Sequence, residues 1–125
     1  MASPTVHEMK LRSEPFGKIR RGEKRVELRL FDEKRQQIRE GDFIRFTETE
    51  TGETVTVRVK KLHPFASFEE LYRSLSLRDC GYGEAELASA HPSDMERYYA
   101  PEAQKKYGVV GIEISLADGN ALTEN

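Results

Sequence analysis

The sequence predicts an α+β domain, a small and mostly antiparallel five-stranded β-barrel with helices packed on one side. Three observations carry that expectation. Apolar and polar residues alternate with a strand's period in five segments, which are rich in β-branched residues. Two of these segments are joined by "TETGET", a turn too short for a crossover, so they must pair antiparallel. Helical spacing is confined to one early segment and one long insert before the last strand. The order is therefore β, α, β, β, β, α-rich insert, β, with more strands than a parallel βαβ sheet would need.

Taken in order, "TVHEMKL" (Thr5 to Leu11) has the loosest alternation. "SEPFGKIRRG" reads as a helix with Ser13 as its N-cap, Phe16 and Ile19 three apart on one face, and Gly22 as its stop. "KRVELRL" then reads as a half-buried strand, with Val26, Leu28 and Leu30 on one face and Arg25, Glu27 and Arg29 on the other. "REGD" turns into "DFIRFTE", where Ile44 and Phe46 oppose Arg45 and Thr47. Past the Thr51-Gly52 hairpin, "TVTVRVKKL" puts Val55, Val57 and Val59 on one face.

The insert opens with Ser67-x-x-Glu70, a capping box whose side chains satisfy backbone N–H groups at a helix start. Phe68, Leu71, Tyr72 and Leu75 follow as an apolar stripe. Ser93-x-x-Glu96 repeats the capping pattern, with Met95, Tyr98 and Tyr99 on neighbouring turns. Pro101 breaks that helix, and "PEAQKKYG" forms a short one ending at Gly108. "VVGIEISL" closes the fold with Val110, Ile112, Ile114 and Leu116 on one face. The shared period places Val26, Leu28, Ile44, Phe46, Val57, Ile112 and Ile114 inside one barrel. Residues 1–125 read as a single domain with its core over about 5–116, and "ADGNALTEN" (117–125) as a frayed tail.

Composition bounds the function. A chain of 125 residues, 37% hydrophobic and 34% charged, is expected to be one soluble globular domain. No apolar run approaches the roughly 20 residues that span a bilayer, so no membrane partner is expected. "MASPTVHEMK" lacks the basic flank and apolar stretch of a secretory signal. The one cysteine, Cys80, has no intramolecular partner, which suits a reducing cytoplasm. A net charge of −2 argues against a general polyanion binder, yet Lys10 to Arg45 holds twelve Lys/Arg against seven Asp/Glu, a local +5 that leaves −7 elsewhere. That basic stretch suits a local site for phosphate or nucleic acid, and a charge-balanced solvated surface stands beside it as the plainer reading.

His7, His63 and His91 have no close Cys or His partner, so no zinc spacing exists and neither metal nor cofactor is expected. Cys80 in "RDCGYG" reads as a buried thiol, and "GYG" as a loop. No phosphate loop, nucleophile elbow or dinucleotide fingerprint appears. The exception is Gly22 to Arg29. Gly22 frees the chain from the helix with a positive φ, and Glu27 and Arg29 share a strand face near Lys24. Physics alone favours an exposed ion network here, with a ligand pocket as the alternative.

"PFGKIRRGEKRVELRL" resembles the ASCH (activating signal cointegrator homology) domain of the PUA-like superfamily. The pattern GxKxxExR is met by Gly22, Lys24, Glu27 and Arg29, followed by Gly41-Asp42-Phe43-Ile44 and by the closing "YYAPEAQKKYGVVGIEISL". The resemblance implies a barrel with a cleft against its helices, where the motif gathers, and RNA or modified-nucleotide binding. Some relatives hydrolyse N4-acylated cytidine with a Lys and a Thr in this strand; Glu27 stands where that Thr would be, so its hydroxyl is missing.

The first expectation is an RNA- or nucleotide-binding domain. Lys24 and Arg29 would contact phosphate or base, Glu27 would orient them and accept a base amino group, and Tyr98, Tyr99 or Tyr107 would offer a stacking surface. For any one of these tyrosines, a place at the core edge is the plainer reading. Gly22 and Arg25 complete the expected ligand-binding set. A second reading is a small hydrolase of acylated nucleosides or RNA, with Lys24 and Glu27 as candidate catalytic residues and Glu27 as general base. A third is a protein-interaction domain using the acidic insert. Glu27 is expected to be ionised and held by Lys24 or Arg29. Its pKa falls if that pairing outweighs desolvation and rises in a drier pocket, and a raised pKa would favour the hydrolase.

Overall fold

The computed structural model describes residues 3–117. Along the chain run β1 (Val6–Leu11), α1 (Ser13–Arg20), β2 (Val26–Leu30), β3 (Phe43–Glu48) and β4 (Thr54–Phe65). They are followed by α2 (Phe68–Ser74), α3 (Glu84–Leu87), α4 (Pro101–Tyr107) and β5 (Val109–Leu116), with 3₁₀ turns at Arg35–Gln37 and Pro92–Arg97. Apart from Ala117, the expected frayed tail lies outside the described residues.

The five strands form one sheet in the order β1-β3-β4-β5-β2. β1 pairs with β3 in parallel and the other three ladders are antiparallel. The expected closed barrel is not formed. β1 and β2 are opposite edges with no ladder between them, so the sheet is a curled half-barrel. The open side is filled by a helix instead of a fifth ladder between β1 and β2: Phe16 and Ile19 of α1 enter the same cluster as Ile44, Phe46, Val57 and Ile112. A register shift between Val59 and Lys61 bends β4, as bulges do.

Nor is there one interior. β2 pairs with β5 so that Glu27 faces Ile112 and Arg29 faces Val110, while Val26 faces Glu113 and Leu28 faces Gly111. Directly opposed residues share a sheet face. Glu27 and Arg29 therefore project to the concave side, with Ile112 and Val110. Val26 and Leu28 lie on the other face, against Phe68, Leu71, Cys80 and Met95. β2 is thus covered on both faces, not half-buried, and the helices pack on two sides of the sheet rather than one. Gly111 makes the second contact possible, since a Cβ there would fall 2.6 Å from Leu75 and 3.2 Å from Val26.

Helix ends follow the sequence in part. Ser67 caps α2 by accepting from the Glu70 amide at 3.2 Å, and Gly108 ends α4 with φ +72°. Ser13, by contrast, is the first residue of α1 and Arg12 precedes it without a side-chain cap. Its hydroxyl turns to the β3–β4 hairpin, within reach of Glu48 (3.1 Å) and Glu50 (3.0 Å). The second cap also lies earlier than expected. His91 Nδ1 accepts from the Ser93 amide and Asp94 accepts from the His91 amide, so Ser93 sits inside the turn. At the hairpin the buried Glu48 carboxylate accepts the amides of Glu50 (2.7 Å) and Thr51 (2.9 Å). Those N–H groups stabilise its charged form and push the carboxyl down to about 2.

Candidate functional site

The chain leaves α1 through Gly22, whose φ of +79° suits a residue without a Cβ. The amides of Glu23 and Lys24 both return to the Lys18 carbonyl, at 2.8 and 3.1 Å. This tight exit sets Lys24 just before β2. The amides of Arg25 and Val26 then bond the Asp79 carbonyl at 2.6 and 2.9 Å, which brings the insert alongside.

Lys24 is 8% exposed and Glu27 5%. The Lys24 Nζ donates to the Cys80 carbonyl at 2.7 Å and lies 3.3 Å from Glu27 Oε1. Arg29 Nε donates to Glu27 Oε2 at 2.7 Å, and its Nη2 donates to the Lys10 carbonyl at 3.0 Å. Both carboxylate oxygens are thus engaged by cations. Burial alone would raise the Glu27 carboxyl, but Lys24 and Arg29 outweigh it and hold the group below the usual carboxylate range. Burial opposes the charge of Arg29 as well, and Glu27 more than restores it, raising the guanidinium. Exposed pairs of this kind contribute about 0–1 kcal/mol, whereas breaking a buried one costs about 3–5 kcal/mol. The motif is a buried ion triad, not a solvated strand face.

The insert supplies the opposite wall. Lys18 Nζ donates to the Gly81 carbonyl at 2.6 Å, so two lysines grip successive carbonyls of the "CGYG" loop. Gly81 has φ +100°, and a Cβ on it would lie 3.1 Å from Lys24 Cδ. The Cys80 thiol is buried and pushed up to about 11, chiefly by burial, so it stays protonated and unreactive at neutral pH.

Between the sheet edges, α1 and the insert opens a cleft of about 550 Å³. Lys24, Glu27, Arg29, Tyr98 and Tyr99 all line it, as does Tyr82. Six Lys/Arg line it against four Asp/Glu, so its walls carry a positive excess. Tyr99 is half-buried and stacks on Phe68 with centroids 6.2 Å apart, while Tyr98 is 54% exposed at the rim. The remaining expected residues lie elsewhere. Gly22 and Arg25 line a second groove of about 470 Å³ that shares Lys24 with the first. Tyr107 lines neither and packs beneath the Lys106 ammonium at 5.0 Å.

Lys18, Gly81 and Tyr82 were not expected from the sequence. The glycines of "CGYG" were the available signal for a close backbone approach; the two carbonyls have no signature at all. Among the described residues, no group of three or more His, Cys, Asp or Glu could hold a metal ion. No helix among them is long and apolar enough to cross a membrane.

The ASCH domain family model matches residues 9–117. The chain belongs to the ASCH domain family. Two solved structures resemble this ASCH domain over nearly their whole length. The crystal structure of hypothetical protein PH0355 shares 36% identity, covers 90% of this chain and 100% of its own, and gives a TM-score of 0.75. The solution structure of protein PF0455 from Pyrococcus furiosus shares 37% identity, with 91% and 99% covered and a TM-score of 0.68. The ASCH domain from Lactobacillus crispatus JV V101 is 13% identical, with 88% of this chain and 79% of its own covered at a TM-score of 0.56, a likeness of fold alone. No curated protein matches the chain.

Proposed function

We propose that this ASCH domain binds RNA or a nucleotide in the cleft between its sheet edges and its insert. The observation that carries the reading is the Lys24–Glu27–Arg29 triad, buried against a cleft of about 550 Å³ whose wall also holds Tyr98 and Tyr99. The volume suits a small ligand or one residue of a longer one. The family is generally thought to bind RNA, which agrees with the excess of cations. Kinship with PUA-like folds, suggested by the motif, fits the same reading.

Within it, Lys24 and Arg29 provide the donors, and the tyrosines provide flat surfaces for a base. Glu27 organises the two cations, because both its oxygens are already engaged and it is nearly closed to solvent. A hydrolase with Glu27 as its general base is less well supported. Such a group must titrate near the working pH, and its neighbours hold this carboxyl low.

The test is titration of a short single-stranded RNA at several salt concentrations. Each phosphate neutralised on a single strand adds about −0.7 to the log–log slope, so three contacts give roughly −2. Measurable affinity with such a slope, lost in Glu27→Gln, is the expected result. No binding of RNA at low salt would remove RNA as the ligand, and no binding of mononucleotides either would refute the reading.

A further inference from the structure

We propose that the cleft takes its ligand by a phosphate group, seated on the unpaired edge of the Arg29 guanidinium and the Tyr99 hydroxyl. The inference rests on the RNA or nucleotide reading and deepens it, naming the group that is held and where. The first argument is charge. Lys24, Glu27 and Arg29 together carry one positive charge in excess, at side chains that are 9%, 6% and 13% exposed. The neighbouring pairs cancel within themselves. Arg35 lies 3.4 Å from Asp32, and Lys18 lies 3.3 Å from Glu86. Asp94, also on the wall, is committed to the His91 amide at 3.0 Å. With six Lys/Arg against four Asp/Glu on its walls, the cleft focuses a positive field on an entering anion.

The second argument is the inventory of donors. A guanidinium has five N–H groups. Arg29 commits one to Glu27 and one to the Lys10 carbonyl, and the other three make no hydrogen bond among the described residues. The Tyr99 hydroxyl likewise makes no hydrogen bond among them, and Tyr99 lines the same cleft as Arg29. Burial keeps that phenol protonated, and so a donor. A planar fork and a hydroxyl on the walls of one cleft suit the oxygens of a phosphate. Glu27 is not the group that reads the ligand; it fixes the fork by occupying Nε, which leaves the Nη groups as the donors not held by a carboxylate. Arg12 and Arg97 line the rim, where a second phosphate of a strand would pass.

The phosphate could be the terminal group of a mononucleotide or a diester within RNA, and the probes separate these. Affinities would be measured for the four nucleosides, their 5′-monophosphates, inorganic phosphate, and an RNA tetramer lacking terminal phosphates. The protein would be the wild type, Tyr99→Phe and Arg29→Lys. Tyr99→Phe keeps the ring on Phe68 and removes only the hydroxyl, so it remains informative should Arg29→Lys fail to fold. Monophosphates should bind at least about tenfold more tightly than nucleosides, and Tyr99→Phe should erase about tenfold of that, the loss of one hydrogen bond to a charged group. Tetramer displaced by inorganic phosphate supports the inference and assigns the diester. Monophosphates displaced while the tetramer is not supports it and assigns the terminal group. RNA binding that is indifferent both to phosphate and to Tyr99→Phe overturns the inference and leaves the RNA reading standing. Phosphate-dependent binding of monophosphates with none of RNA supports the inference and removes RNA as the ligand. Equal binding of nucleosides and monophosphates, or no binding of any probe, overturns it.

Discussion

Arg29 on β2 donates to the backbone carbonyl of Lys10 on β1 at 3.0 Å, so a side chain spans the gap between two sheet edges that share no ladder. The same guanidinium is anchored through Nε by Glu27. The half-barrel is therefore fastened at its mouth by a member of the ion triad.

Arg29→Lys retains the charge and loses the fork. Lysine has no planar pair of nitrogens to serve Glu27 and Lys10 together. Loss of a hydrogen bond to a charged group should lower stability by about 1.5–3 kcal/mol. Amide exchange should quicken across Val6–Leu11 before the rest of the sheet. Uniform protection in the variant would show that the fastening is not needed.

Glu27→Gln leaves Lys24 and Arg29 buried without their shared anion. The expected loss is about 3–5 kcal/mol, read as a lower urea midpoint with an unchanged slope. Lys24→Met in the same chain removes one stranded charge and should recover part of that loss. A loss below about 1 kcal/mol would mean that water screens the triad.

Gly81→Ala tests the insert's hold on Lys24. At φ +100° an L-residue is strained by roughly 1–3 kcal/mol. Its Cβ would also stand 3.1 Å from Lys24 Cδ. The variant should fold, lose stability by that amount, and bind RNA more weakly than Ala variants at exposed loop positions. Unchanged affinity would separate the loop from the site.

The periodic strands were legible because alternation records which residues face a core, and all seven expected core residues are buried. Alternation has no direction, so the parallel β1–β3 ladder left no trace in it. It also cannot separate two cores from one. Val26 and Leu28 read as partners of Ile112, although a second cluster claims them. Buried ion triads and solvated strand faces use the same residue types, which is why Lys24, Glu27 and Arg29 took their meaning from the motif and their burial from the fold. The short α3 and the 3₁₀ turn at Arg35–Gln37 are too brief to show a helical period.

Acid stability should depend on Glu48. Its folded carboxyl sits at about 2 against an ordinary 4.5, because backbone amides favour the anion. The unfolded chain therefore binds more protons in that window, and stability falls as pH drops from about 4.5 towards about 2. Glu27, held low by its cations, acts in the same direction. Unfolding measured from pH 5 to pH 2 should show a shallower acid slope for Glu48→Gln than for the wild type. Equal slopes would assign the acid limb to other carboxyls.

The insert over residues 66–108 begins and ends on directly paired residues, Phe65 and Val109. Lengthening a loop whose ends are already held together costs little, about 0.6 kcal/mol for each doubling. Yet this loop supplies the carbonyls that hold Lys18 and Lys24, and the aromatic surfaces of Tyr82, Tyr98 and Tyr99. The cleft thus has one wall fixed by the sheet and another that is free to diverge. Mutation can remodel what the cleft accepts while the ion triad stays in place, and grafting a different insert between Phe65 and Val109 is the natural route to a new ligand.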